Sequence, residues 1–235
     1  MKALRWVVGT VGEVMITVGL LLLLFVAWQL WWTDVTANRE QAVTIQVLER
    51  GFAQDDGVTE EPVATDPLAT LKKVPFGEAF AIMRIPRFGA DFARPVLQGT
   101  DLETLKKGVG HYSGTTMPGL VGNFAVAGHR TTYGRPFHTI DLLKKGDVIV
   151  VETKVSYSVY AVDRHVIVPP SQVNVVAPVP ERPGVTPKQA WLTMTSCHPR
   201  FSARERFVVF AKLVEVIPRA KGLPASVMAV PAGAP

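Results

Sequence analysis

At 235 residues with 48% hydrophobic side chains, the chain is long enough for one domain with extensions around a substantial core. Its net charge of +5 comes from 25 basic and 20 acidic residues that are scattered, with no Lys/Arg-dense run and no aromatic-interleaved basic patch. That argues against nucleic acid as a partner and suits work beside an anionic membrane or wall polymer. The single cysteine, Cys197, excludes an intrachain disulfide.

The N-terminus carries Lys2 and Arg5, after which residues 14–32 run for nineteen positions without a charge. At about 1.5 Å per residue this stretch covers roughly 28 Å, close to the hydrocarbon thickness of a bilayer. Glu13 falls at its edge, and Trp6 on one side with Trp28, Trp31 and Trp32 on the other are placed as interfacial aromatics. A cleaved signal peptide would need small residues where these tryptophans stand. Lys2 and Arg5 held inside put the bulk of the chain outside. The expected organisation is a cytoplasmic N-terminus over 1–13, a transmembrane helix over 14–32, a stem and flexible acidic linker over 33–75, the main domain over 76–217 and a disordered Ala/Pro/Gly-rich tail over 218–235. Within the stem, residues 33–50 permit a short helix. Residues 53–67, with Asp55, Asp56, Glu60, Glu61 and Asp66, two prolines and no aromatic, read as linker.

From residue 80 onward, short β-rich runs alternate with Gly and Pro punctuation over 80–85, 94–97, 123–127, 148–153, 156–162 and 166–168. Two more runs, 189–196 and 207–216, bring the count to about eight, with brief helical patterns over 101–107 and 136–143. Gly108-Val109-Gly110 and the glycines at 119 and 122 read as turns. Many short strands with little helix predict an all-β, closed or nearly closed barrel. Residues 176–189, with four prolines, predict a stiff loop before the strand that rises to Cys197. Pro199 ends that strand, and the following run predicts a hairpin-like partner that brings Cys197 near Arg206.

A thiolate attacking a carbonyl needs a proton acceptor and donor nearby, and a group to hold the developing oxyanion. Cys197, His129 and Arg206 supply these types. Arg200 and Arg204 compete with Arg206, and His111, His138, His165 and His198 read as structural or groove-lining, although His198 adjoins the cysteine. No Cys pair, His-x-x-x-His or alternating acidic loop is present, so no metal and no cofactor are expected.

Thr193-Met194-Thr195-Ser196-Cys197 followed by Arg206, together with Ala127-Gly128-His129-Arg130, resembles the active-site pattern of the sortases. The pattern around the cysteine is Thr-Leu-x-Thr-Cys; Met194 replaces Leu and Ser196 replaces Thr, keeping size or hydroxyl character. His198-Pro199-Arg200-Phe201-Ser202-Ala203-Arg204, Gly128-His129-Arg130-Thr131-Thr132-Tyr133-Gly134 and Arg84-Ile85-Pro86-Arg87-Phe88-Gly89 bring the resemblance closest to class E. Asp66-Pro67-Leu68 resembles in part the Asp-Pro-aromatic lid of pilus-building sortases, but Leu68 is not aromatic.

The resemblance implies an eight-stranded sortase barrel in which Cys197 is the nucleophile, His129 gives a proton to the leaving amine and takes one from the incoming amine, and Arg206 donates to the oxyanion. Family spacing is what favours Arg206. It also implies Tyr112 and Ser196 as substrate contacts and the 176–189 loop as a groove border. The activity it implies is cleavage of a Leu-Ala-x-Thr-Gly-like sorting signal between Thr and Gly, with transfer of the secreted protein to a lipid-linked peptidoglycan precursor amine at the outer face of the membrane. Two other readings compete. One is an L,D-transpeptidase, whose Ser-His-Gly-Cys order is absent; the other is a non-catalytic, membrane-tethered wall-binding protein.

Overall fold

A computed structural model of the chain describes residues 2–55 and 74–234. The Asp66-Pro67-Leu68 segment and most of the expected linker therefore lie outside the described residues.

The first element, α1 (Lys2–Asp55), is one helix of 54 residues, roughly 80 Å long, where a span and a separate stem were expected. No proline interrupts the sequence before Pro62, and Leu and Val are the most frequent residues of the helix. Its N-terminal half is long and apolar enough to cross a membrane, and none of that apolar window is buried against protein. Thr10 and Thr17 donate their hydroxyls to the carbonyls of Trp6 and Glu13 one turn back, which satisfies these groups without water. Beyond Trp32 the helix changes character. Ala37, Gln41 and Phe52 are buried against the barrel, and Glu49 pairs with Arg84 at 2.7 Å.

Eight strands close the barrel: β1 (Ala79–Arg84), β2 (Ala93–Gln98), β3 (Val109–His111), β4 (Gly122–Ala127), β5 (Val148–Glu152), β6 (Ser156–Val168), β7 (Ala190–His198) and β8 (Glu205–Pro218). Their order is β1-β2-β3-β4-β7-β8-β6-β5, with β1 pairing β5 to remove any free edge. The pairs β2–β3 and β4–β7 are parallel and the rest antiparallel. Phe124, Phe137, Ile149, Tyr160, Leu192 and Met194 fill the interior, all fully buried.

The expected count of eight holds with different members. The runs at 156–162 and 166–168 are one strand, β6, and a register shift between Val162 and Arg164 flips its alternation and makes it read as two. The eighth strand is β3, placed where the glycines around Val109 suggested only turns. The helical pattern over 101–107 becomes α2 (Leu102–Lys107), capped by Asp101, whereas that over 136–143 yields only a 3-10 turn at Ile140–Leu142. Residues 219–234, expected as a disordered tail, lie against the barrel. Leu223, Val227 and Met228 cover Val150, Val159 and Ile217, and the Ala232 carbonyl accepts from Arg87.

Candidate active site

Cys197 and Arg206 face one another across the antiparallel β7–β8 pair. On the other side of β7, the parallel strand β4 sets Ala127 beside Thr195. That register continues past the strand end, because the Gly128 amide donates to the Thr195 carbonyl at 3.1 Å and Ser196 Oγ donates to the Gly128 carbonyl at 2.9 Å. His129 follows directly, two residues beyond the end of β4. Gly128 is needed at this turn because a Cβ there would sit 2.6 Å from the Phe137 ring.

Alternation decides which way the row points. Leu192 and Met194 pack into the core, so Thr193, Thr195 and Cys197 face outward. In β8, Phe207 and Val209 point inward, so Arg206, Val208 and Phe210 face outward with Cys197. Val168 and Val175, at the start of the β6–β7 connection, cover Val208 and Phe210 and raise a wall on one side of the row. Leu102 and Leu105 of α2 form an apolar wall on another. These leucines line an open cavity of about 340 Å³ together with Cys197, His129, Arg206, Tyr112 and Ser196, whereas Val168 and Val175 line a smaller one of about 80 Å³ that shares Tyr112, Thr195 and Arg206 with it. The five residues expected from sequence are thus brought to one cavity, while Arg200 and Arg204 lie outside it.

The side chains have distinct surroundings. His129 is half-buried, and its Nε2 has no hydrogen-bond partner among the described residues. Burial lowers its pKa below the ordinary histidine value, and the positive charge of Lys106 adds to the effect. The Tyr133 ring lies 5.1 Å from the imidazole. Arg206 donates through Nη1 to the carbonyls of Ala203 and Glu205 at 2.9 and 3.0 Å, which anchors the guanidinium beside the thiol. Tyr112 shares a 2.9 Å hydroxyl hydrogen bond with Thr195, one residue from Ser196. Ser196 is buried with its hydroxyl engaged by Gly128, so it ties β7 to the turn that carries His129. Among the described residues no group of three or more His, Cys, Asp or Glu gathers as metal ligands.

Arg130 is the residue whose role sequence reasoning missed. It is 3% exposed, and its Nη1 donates to His198 Nδ1 at 2.9 Å and to the Cys197 carbonyl at 3.3 Å, while Nη2 pairs with Asp141 at 3.1 Å. Burial pushes the Asp141 carboxyl up, but a backbone hydrogen bond and the Arg130 and Arg200 guanidinium groups hold it below its ordinary value. His198 is thereby held by Arg130 and packed near Phe207, with ring centroids 5.8 Å apart. The available signal was an arginine directly after the candidate histidine, at the end of an apolar strand where a bare charge would be costly.

The sortase-domain family model matches residues 83–214, more than half of the chain. Sortase SrtE1 of Streptomyces coelicolor is 38% identical over 222 residues, which is 91% of this chain and 59% of that protein, so the chain spans less than two thirds of that relative's length. Sortase SrtE2 of the same organism is 32% identical over 219 residues, 88% of this chain and 82% of that protein. The solved structure of sortase E from Streptomyces avermitilis superposes with a TM-score of 0.59 at 40% identity, over 65% of this chain and 99% of that one. With the closed eight-stranded barrel and the outward-facing cysteine already in place, these likenesses settle the family: the chain belongs to the sortases, among relatives of class E.

Proposed function

We propose that the chain is a membrane-anchored transpeptidase that cleaves a Leu-Ala-x-Thr-Gly-like signal between Thr and Gly and passes the carboxyl side to an amine on a lipid-linked peptidoglycan precursor. The observation that carries this reading is one cavity lined by His129, two residues beyond the end of β4, and by Cys197 of β7 and Arg206 of β8, which oppose one another directly. In the first half-reaction the Cys197 sulfur attacks the Thr carbonyl carbon while His129 takes the thiol proton. Burial favours the neutral imidazole that this requires. Arg206 donates to the developing oxyanion, the C–N bond breaks, and His129 returns the proton to the leaving glycine amine. In the second half-reaction the acceptor amine attacks the thioester, His129 takes its proton, and the Cys197 thiol is released. The thioester conserves the acyl group until the amine arrives.

The walls support a peptide with an apolar side chain, since Leu102 and Leu105 offer it a partner. A lipid-linked acceptor is supported by the position of the barrel. Asp34 of α1 contacts the turn after His129, and lies roughly 3 Å along the helix axis from Trp32. Lys2 and Arg5 support an N-terminus inside and the domain over 76–217 outside. The test is incubation of the full chain in detergent with peptides that differ only at the second signal position. The expected result is a mass increase on Cys197 with Ala there, a much weaker one with Pro, and release to an added amine. Hydrolysis or transfer with no adduct at Cys197 would defeat the reading.

A further inference from the structure

The half of α1 beyond Trp32 makes a concentrated set of contacts with one short segment. Asp34 Oδ1 accepts from the Gly134 amide at 3.1 Å, Asp34 Oδ2 pairs with Arg135 Nε at 2.9 Å, and Gln41 Nε2 donates to the Tyr133 carbonyl at 3.1 Å. Gln41 is 1% exposed, although it lies on a helix that was expected to be a simple stem. From the barrel side, Arg94 of β2 donates to the Gly134 carbonyl at 3.1 Å. The segment so held is unusual. Tyr133, Gly134 and Arg135 are three consecutive left-handed residues, with φ of 54°, 75° and 48°, and two of them are not glycine. Non-glycine residues occupy this region only where their surroundings hold them there. The fit is close enough that a Cβ on Gly134 would lie 2.8 Å from Asn38 Oδ1 and 3.0 Å from Gln41 Nε2. At the other end of the same turn the Tyr133 ring stands against His129, and Lys106 Nζ lies 5.8 Å from the centre of that ring.

We propose that Asp34 and Gln41 are positioning residues for the transpeptidation: the membrane-proximal half of α1 holds the left-handed Tyr133–Gly134–Arg135 turn, and the turn sets the Tyr133 ring and thereby the His129 imidazole at the cavity. The anchor helix is then part of the active-site scaffold as well as a tether. The proposal rests on the reading of His129 as the acid and base, but its test does not depend on that role.

The experiment uses the full chain in phospholipid nanodiscs with 15N-labelled histidine, assigned with His129→Gln, and follows the imidazole signals against pH in wild type, Asp34→Ala, Asp34→Glu and Gln41→Ala. The charged and titratable groups around His129 are Lys106 on α2, Tyr133 on its own turn, Tyr112 after β3, Cys197 on β7 and Arg206 on β8; Asp34 reaches it only through the turn. Removing a carboxylate alone lowers a histidine's midpoint. Loosening the turn hydrates the ring and raises it, so the two effects have opposite sign. The expected result is an upward movement of the His129 midpoint in Asp34→Ala and Gln41→Ala, with Asp34→Glu restoring most of the wild-type value. The acylation rate at saturating peptide should fall by about tenfold with KM little changed, within the range by which remote misplacement slows reactions. A midpoint that stays or falls in both alanine variants, with thermal melts showing them folded, overturns the proposal. If instead His129→Gln retains wild-type acylation, the acid-base reading fails while an upward midpoint still upholds the positioning.

Discussion

Cys197 and Arg206 are directly opposed residues on neighbouring antiparallel strands, and both face outward from the barrel. Directly opposite side chains on one face stand about 5 Å apart at Cβ, so a guanidinium anchored by the Ala203 and Glu205 carbonyls can present its remaining donors beside the thiol. Lysine keeps the charge but offers one nitrogen, which cannot be anchored and also donate as a planar fork. Arg206→Lys is expected to lower the acylation rate by about 10², the scale of losing one oxyanion donor. Arg204→Lys and Arg200→Lys should change it little, since Arg204 is exposed and Arg200 pairs with Asp141 outside the cavity. Stopped-flow acylation with thermal melts on all three variants checks this, and a crippled Arg204→Lys beside a normal Arg206→Lys would contradict the register.

Replacement of Cys197 by Ala removes the nucleophile and leaves Ser196, Gly128 and the β7–β8 pairing in place. Both cleavage and transfer should be lost, and a thiol-directed reagent should add one label to wild type and none to the variant, because no other cysteine exists. Intact-mass spectrometry reads the labels, and turnover above a few per cent in Cys197→Ala would rule out the covalent route.

The barrel was legible because its strands are punctuated, and the β7–β8 pair because Pro199 and the two apolar runs mark a hairpin. The row of His129, Cys197 and Arg206 was legible in kind, since both flanking motifs could be read, but its geometry comes from the parallel β4–β7 pairing that no local pattern encodes. Strand β3 escaped because its three residues, the middle one Gly110, carry no period-2 signal. The packing of 219–234 escaped because Leu223, Val227 and Met228 are too widely spaced among Ala, Pro and Gly to mark a buried face. The docking of α1 escaped for a related reason: Asp34 and Gln41 are polar residues on an irregular pattern, and their partners lie 92 to 100 positions away.

Arg130 links the turn after His129 to the strand that carries Cys197. Arg130→Leu removes the nearer of two partners of Asp141 Oδ2 and the donor to His198 Nδ1, while the Cys197 carbonyl loses a hydrogen bond. Because Asp141 is 35% exposed and keeps Arg200, the expected loss is about 2 kcal/mol, below the range for a fully buried pair. Arg130→Lys should recover part of it. Denaturant unfolding in detergent measures the difference, and a Leu variant as stable as wild type would show that the network contributes no net stability.

Acid sensitivity should centre on His111, which lies inside the barrel rather than at the site. It is 1% exposed, between the Phe80 and Phe124 rings at 5.8 and 5.0 Å. Its Nδ1 lies in hydrogen-bond contact with Gln98 Oε1 at 2.7 Å, and its Nε2 with the Thr115 hydroxyl at 2.8 Å and the Thr116 carbonyl at 3.2 Å. Burial lowers its pKa to about 4, against 6.5 for an ordinary histidine. Since the folded value lies below the unfolded one, the unfolded chain binds the proton first, and stability present above pH 6.5 is lost as pH falls toward 4. By pH 4.5 the loss from this group alone should reach about 2.5 kcal/mol, in a window where most carboxylates are still ionised. Half-buried His129 contributes with the same sign, so the informative quantity is the difference between wild type and His111→Gln. The variant should be less stable at pH 7 and show a distinctly flatter decline between pH 7 and 4.5, measured by denaturant unfolding at closely spaced pH values. Parallel declines would mean that His111 is already hydrated in the folded barrel, and that the buried ring does not set its acid limit.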